Sequence, residues 1–307
     1  MNQMRESFLT PVLFLVFNRP EKTQLVFERI RAIRPKYFYI AADGPRINIE
    51  NELTKCEEVR TIVSKVDWDC EPKFLYRDNN LGCSKAVVSA IDWFFENEEE
   101  GIIIEDDCLP DLSFFLYCSD LLLKYQNEQR VMMISGSSLG HTFGNSSYFF
   151  SKYGQIWGWA SWRRAWIKYE RNIQIDDKSI KYNSYEERNF WRRNFSRIIW
   201  DVQWAVYSIW KNNGIAILPN VNLVSNIGFD IDGTNYRDEN SAIARIRSSS
   251  MDFPLVHPDS VSVDMNFDAK FFREVFYVHP FKKLLLAVVR MLTRLKLFTM
   301  NLLQLVK

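Results

Sequence analysis

The stretch Gly101-Ile102-Ile103-Ile104-Glu105-Asp106-Asp107-Cys108-Leu109-Pro110 constrains this chain more than any other. Its run of isoleucines reads as a strand buried on both faces. Carboxylates follow at once, and Pro110 stops the strand from continuing in a ladder. Like charges clustered at the edge of a core repel one another unless a cation sits among them or a proton is retained. Hard divalent cations take oxygen ligands, and Mg²⁺ typically uses one or two carboxylates plus substrate phosphates. In an open α/β sheet the ligand crevice lies outside the carboxyl ends of the strands. Glu105-Asp106-Asp107 therefore stands where a metal–diphosphate site would be. A solvated acidic turn fits the triplet alone equally well, and its neighbours decide between the two.

The chain has 307 residues, enough for one large or two ordinary domains. Its 47% hydrophobic and 25% charged residues are ordinary for a globular protein, and a net charge of +1 argues against a nucleic-acid surface. Cys56, Cys70, Cys83, Cys108 and Cys118 form no CxxC pair and no even framework, which suits small apolar residues in a reducing compartment. Glu6 and the short apolar run Pro11 to Phe17 do not make a signal peptide. No uninterrupted apolar run is long enough to span a bilayer. The expectation is a cytoplasmic protein.

Strand and helix patterns alternate along the first half. Val12 to Phe17 reads as a buried strand, and Pro20 suits the first turn of a helix carrying Val26, Ile30 and Ile33. Tyr37 to Ala42 reads as a strand closed by the turn Asp43-Gly44-Pro45-Arg46, and a polar helical segment runs to about Val66. Lys73 to Tyr76 is a short strand. Asn79-Asn80-Leu81-Gly82 turns into a helix that Ser84 can cap, with Val87, Val88, Ile91, Phe94 and Phe95 on its apolar face. The acidic strand, a Leu-rich helix and the strand Val131 to Ile134 follow. This alternation predicts a mostly parallel sheet with Rossmann-like winding and right-handed connections.

The texture changes after Ser135. Gly, Ser, Asn and aromatic residues dominate to Trp166 with weak periodicity, and a long irregular stretch in a compact domain is usually functional. Trp157, Trp159, Trp162 and Trp166 crowd here with Gly154 and Gly158 between them. Flat apolar faces over close backbone suit a sugar ring; the other reading is plain core. The segment from Tyr185 to Trp210 reads as helical with Asp201 in it, and Gly214 to Pro219 as a strand. Residues 281–307 hold no acid but carry Lys282, Lys283, Arg290, Arg294, Lys296 and Lys307 among Leu, Val, Met and Phe. A basic amphipathic helix predicts binding to an anionic membrane surface, with docking on its own domain as the other reading.

A first strand followed by Phe17-Asn18-Arg19-Pro20, a second ending Asp43-Gly44-Pro45-Arg46, then Asn80-Leu81-Gly82 and Glu105-Asp106-Asp107, resembles the nucleotide-sugar-dependent glycosyltransferases of the GT-A fold. Bacterial family 2-like enzymes are the nearest pattern, and the Glu-Asp-Asp triplet is also similar to the variant metal motif of the animal N-acetylglucosaminyltransferase I family. The resemblance covers roughly residues 10–240. It implies an α/β, Rossmann-like GT-A fold with a mostly parallel central sheet flanked by helices, followed by a C-terminal amphipathic helix. The corresponding division is a 1–255 catalytic domain, with a 1–135 nucleotide-sugar half and a 136–255 acceptor half, and a 256–307 extension.

Carried over by position, the resemblance puts Asp43 at the nucleotide base or ribose with Arg46 near it, and Glu105 and Asp106 at the ribose and sugar. Asp107 would ligate Mn²⁺ or Mg²⁺ bridging the diphosphate. Phe17, Asn18, Arg19, Asn80, Gly82 and Lys85 complete the implied donor site. Trp157, Trp159 and Trp162 are the acceptor candidates. An inverting member needs a base for the acceptor hydroxyl. In Trp200-Asp201-Val202-Gln203-Trp204, Asp201 matches that position, although Trp200 replaces the usual preceding acid and a surface or capping charge is the other reading. A further ligand is often a His in a late loop. Here residues 230–235 have none, which leaves two readings: Asp230, Asp232 or Asn235 supplies an oxygen, or the metal has fewer protein ligands. His141, His257 and His279 are too scattered to be ligands.

The implied partners are a nucleotide-diphosphate sugar donor, a glycan or lipid-linked acceptor, and the inner face of the cell membrane, with surface polysaccharide synthesis as the setting. A nucleotidyltransferase shares this winding but usually has a Gly-rich basic loop after the first strand. A non-catalytic sugar-binding or membrane-lytic module is the non-enzyme reading. The tail carries the membrane expectation, so deleting residues 281–307 should abolish binding to anionic liposomes in a flotation assay.

Overall fold

A computed structural model describes residues 8–171, 180–195, 199–229 and 243–277. Asp230, Asp232, Asn235, His279 and the basic tail lie outside the described residues. The elements run β1 (Val12–Val16), α1 (Pro20–Ile33), β2 (Tyr37–Ala42), α2 (Glu52–Val63), β3 (Glu71–Tyr76), α3 (Cys83–Asn97), β4 (Glu100–Glu105), β5 (Cys108–Pro110) and α4 (Ser113–Tyr125). There follow β6 (Val131–Ser135), β7 (Tyr148–Ser151), β8 (Trp159–Trp162), α5 (Arg163–Trp166), α6 (Tyr185–Asn194), α7 (Trp200–Val202), α8 (Ile209–Lys211), β9 (Ile215–Pro219), β10 (Val224–Asn226) and α9 (Met265–Phe271).

An eight-stranded sheet in the order β3-β2-β1-β4-β8-β6-β9-β7 forms the centre. The strands β3, β2, β1 and β4 are parallel neighbours, as are β6 and β9, while β8 and β7 run against theirs. Alternation along the buried strands divides the core into two layers. Phe14, Phe38, Ile102 and Ile104 face the layer that takes Val26 and Phe27 of α1, Val59 of α2 and Phe114 of α4. Leu13, Tyr39 and Ile103 face the other, with Ile91 and Phe94 of α3, Trp191 of α6, and Trp204. Helices on both faces are what a mostly parallel sheet requires.

The structure departs from the sequence pattern at several points. The chain reverses after Glu105, and Cys108–Pro110 forms β5, paired antiparallel with β10 through Asn226↔Cys108 and Val224↔Pro110. Pro110 therefore sits in a ladder after all, at the end of a two-stranded ribbon where its missing N–H costs little. Ser84 caps nothing: α3 begins at Cys83, with Gly82 ahead of it. The aromatic stretch after Ser135 contains β7 and β8, whose residues are all buried and so show no alternation. The helix expected over 185–210 breaks around Ile199, whose backbone is extended.

The core also takes in residues beyond 255. Phe267 of α9 packs on Phe149 of β7 with ring centroids 4.6 Å apart. The buried Asp268 carboxylate accepts a bond from Ser151 Oγ at 2.6 Å and from the Lys152 amide at 3.0 Å. Burial pushes its pKa from 3.8 up to about 6 against those bonds. The folded protein thus holds this proton more tightly than the unfolded chain, so the group's contribution to stability is present below pH 4 and falls as pH rises to about 6. Urea unfolding across that window should lose about 2 kcal/mol less in Asp268→Asn than in the wild type.

Candidate active site

Parallel pairing puts the carboxyl ends of β1, β2 and β4 at one edge of the sheet, since Leu15 pairs with Glu105 and Val16 with Ala42. The segments after these strands, 17–19, 43–46 and 105–107, therefore meet there. The Phe17 amide donates to Asp106 Oδ2 at 3.2 Å. Arg19 Nη1 lies 3.3 Å from Asp106 Oδ1 and 2.7 Å from Asp107 Oδ2. The cation that the acidic cluster requires is thus partly supplied by the chain itself. Burial pushes Asp106 up to about 6, with Arg19 opposing the shift. Burial raises Glu105 well above the usual carboxylate range, and Asp107, Asp106 and Asp201 add to it by repulsion. For Arg19, burial opposes the charge, but Asp106 and Asp107 outweigh it.

Asp43 is buried and spends its oxygens on the protein. It accepts from the Gly44 amide at 2.9 Å, the Leu81 amide at 3.0 Å, the Gly82 amide at 3.2 Å and Asn80 Nδ2 at 3.0 Å. The carboxylate thereby pins the 79–82 turn ahead of α3 to the end of β2. Gly44 lets these segments touch, because a Cβ there would stand 2.5 Å from the Asn79 backbone. Glu52 does similar work beside it, a role that the polar pattern of its segment does not single out. Its buried carboxylate accepts Asn18 Nδ2 at 2.8 Å and the Arg46 amide at 2.6 Å, and pairs with the Arg46 guanidinium. The Arg46 side-chain bond leads in holding Glu52 below its ordinary pKa. Arg46 also lies over the Phe17 ring, 5.7 Å from its centroid. The only sequence signal for Glu52 is its position in the first turn of α2. Lys85 is exposed on α3.

A cavity of about 350 Å³ opens beside the carboxylates. Arg19, Glu105 and Asp107 form one part of its wall, and Asp201, Trp157 and Phe229 line it as well. Asp201 Oδ1 accepts its neighbour Val202's amide at 2.7 Å, and burial raises its pKa. A π-helical turn, Gln203–Ser208, follows α7 and contributes Ala205 and Val206 to the wall. A second one, Phe272–Phe276, contributes Val275 and Phe276. Single π turns inside helices are frequent at functional sites. The β5–β10 ribbon sets Asp107: its carbonyl accepts the Ile227 amide at 2.8 Å, and a Cβ on Gly228 would lie 2.3 Å from Asp107 Oδ2.

Two of the tryptophan candidates are corrected. Trp159 is fully buried among Trp166 and Trp204, at centroid distances of 6.2 and 5.9 Å. Trp162 is buried too, beneath Arg164 at 4.3 Å. Both are in β8, an inner strand covered on both faces, so their rings fill core rather than cavity. Trp157 precedes that strand and lines the cavity, edge-on to Phe229 at 5.7 Å. Among the described residues no three His, Cys, Asp or Glu side chains converge as a metal cluster. His141 lies 3.4 Å from Glu274, and His257 bonds to the Tyr148 hydroxyl at 2.9 Å.

No protein-family model and no curated protein matches the chain. Among solved structures it is similar to a mannosyltransferase from Pyrobaculum calidifontis in complex with GDP-Man and Mn²⁺, at 10% identity and a TM-score of 0.42 over 74% of this chain and 59% of that one. It is also similar to the glycosyltransferase GlyE of Streptococcus pneumoniae, at 11% identity and a TM-score of 0.34 over 68% of this chain and 45% of that one. A cytidylyltransferase from Leptospira borgpetersenii is a third, at 12% identity and a TM-score of 0.35 over 63% of this chain and 74% of that one. The chain thus spans less than two thirds of the length of either glycosyltransferase.

The Asp43 network makes its own prediction. Asp43→Ala strands several buried donors at once and should cost about 3 kcal/mol in urea unfolding. Asp43→Asn, which keeps an acceptor oxygen, should lose less.

Proposed function

We propose that this protein is a glycosyltransferase that moves a sugar from a nucleotide-diphosphate donor to a hydroxyl of a glycan or lipid-linked acceptor, with inversion and with Mn²⁺ or Mg²⁺. The observation that carries this reading is that Asp201 shares one cavity with Glu105 and Asp107, although they lie far apart in the chain. Carboxylates at the strand ends suit a donor diphosphate, and a separate carboxylate suits an acceptor proton. The strand-end residues Phe17, Asn18, Arg19, Asp43, Arg46, Asn80 and Gly82 frame the donor side, with Lys85 at its margin.

Carboxylate oxygens are the hard donors that Mn²⁺ and Mg²⁺ take, and a site completed by substrate phosphates needs only one or two of them. Asp107, which lines the cavity, would be the direct ligand, with Glu105 beside it. When bound, the ion supplies charge neutralisation on the leaving diphosphate. Asp201 would accept the proton of the acceptor hydroxyl, and burial makes its carboxylate a stronger base than a solvated one. Trp157 offers the flat apolar face on which a sugar ring can stack, with Phe229 edge-on beside it. A nucleotidyltransferase would use the same sheet edge, but Phe17-Asn18-Arg19-Pro20 leaves no Gly-rich loop after β1.

The setting we propose is surface polysaccharide synthesis at the cytoplasmic face of a membrane, reached through the basic tail. No helix among the described residues is long and apolar enough to cross a membrane.

Calorimetric titration with uridine, guanosine, thymidine and cytidine diphosphates, with and without Mn²⁺, tests the donor site. One nucleotide should bind in a metal-dependent manner and Asp107→Ala should lose it; binding of none under any metal overturns the reading. Asp201→Asn should keep that binding while lowering turnover by about 100-fold or more. Release of nucleoside diphosphate rather than pyrophosphate separates glycosyl from nucleotidyl transfer.

A further inference from the structure

Arg19 differs from the other donor-side residues in that it lines the cavity and pairs there with Asp107, a carboxylate that lines it too. The guanidinium reaches Asp107 Oδ2 at 2.7 Å and Asp106 Oδ1 at 3.3 Å, and its side chain is only 16% exposed. The two carboxylates are not equivalent. Asp106 is anchored to the end of β1 through the Phe17 amide and is buried. Asp107 borders the cavity, as does Arg19 itself. Of the two carboxylates, Asp107 is therefore the one exposed to exchange with a ligand in the cavity, while Asp106 stays tied to β1.

We infer that Arg19 is an internal counter-cation that exchanges Asp107 for the phosphates of the donor, and that it thereby prevents the site from holding a bare divalent cation. The inference rests on the reading of this cavity as the donor site. A dication placed at Asp107 alone would share that carboxylate with a guanidinium fixed nearby, and repulsion between like charges is strong where water is largely excluded. A dication that arrives with a diphosphate brings at least as much negative charge as its own, so the pair adds no positive charge to the site. The phosphate oxygens then offer the guanidinium a new partner suited to its planar fork, while Asp107 is freed for the ion. Ion and nucleotide consequently bind as a pair, each raising the affinity for the other by the same factor.

The test is Mn²⁺ titration followed by calorimetry and by the electron paramagnetic resonance of free Mn²⁺, on the full chain, with uridine, guanosine, thymidine or cytidine diphosphate present or absent. In the wild type the nucleotide that binds should tighten Mn²⁺ binding by about tenfold or more. Arg19→Gln should bind bare Mn²⁺ about tenfold more tightly and the Mn²⁺–nucleotide pair about tenfold more weakly, a change of opposite sign that simple loss of structure does not produce. Arg19→Lys keeps the charge and should still exclude the bare ion. Wild-type binding of bare Mn²⁺ as tight as in the presence of nucleotide overturns the inference without any variant. So does an Arg19→Gln protein whose affinity for bare Mn²⁺ is unchanged or lower. In both cases the donor-site reading survives, because nucleotide still binds. If no nucleotide binds the wild type under any metal, the donor-site reading falls and the inference falls with it.

Discussion

Carboxylate repulsion at the end of β4 is the constraint around which the rest of the site is arranged. The strand itself must be apolar to pair inside a two-faced core, and its last residues must emerge where water is scarce. Three acids there would be untenable without compensation. The compensation comes from the neighbouring parallel strand: β1 ends in register with β4, and the chain that leaves it carries Phe17 and Arg19 directly onto Asp106 and Asp107. Sheet pairing thus sets up charge pairing, because the register of β1 with β4 brings Arg19 to the acids.

The same logic extends sideways along the sheet. Asp43 at the end of β2 and Glu52 at the start of α2 are buried acids whose oxygens are consumed by amides and by Asn18, Asn80 and Arg46. These bonds hold the loops after β1, β2 and β3 as one unit. A ligand at this edge meets loops whose positions are already decided, which reduces the ordering cost of binding.

The parallel strands and their helices were legible because runs such as Val12–Val16 and Ile102–Ile104 are wholly apolar and rich in β-branched or aromatic residues, and short polar turns separate them from helical periodicity. The clustering of 17–19, 43–46 and 105–107 followed from topology alone, because strand ends in a parallel sheet share an edge. The aromatic stretch was less readable. A strand buried on both faces has no alternation to separate core from contact, so Trp157, Trp159 and Trp162 looked alike although only Trp157 reaches the cavity. Glu52 was hidden for another reason: its role depends on Asn18 and Arg46 arriving from two other loops, which no local pattern records. The partners of Asp107 around Gly228 were hidden too, since a two-stranded ribbon of such short strands leaves little imprint on composition.

The two halves of the cavity wall are built from different materials. The carboxylate side hangs from paired strands, where a one-residue slip would turn every side chain to the opposite face. The other side includes two π-helical turns, Gln203–Ser208 and Phe272–Phe276. A π turn holds one residue more than a helical turn needs, and at Gln203–Ser208, which continues into α8, removing or adding a residue turns the following side chains by roughly 100°. Single-residue insertions and deletions can therefore redraw the apolar wall without touching the charged one. The apolar wall answers to the spacing of helical turns and the charged wall to strand register, so a change of chain length in one leaves the other in place.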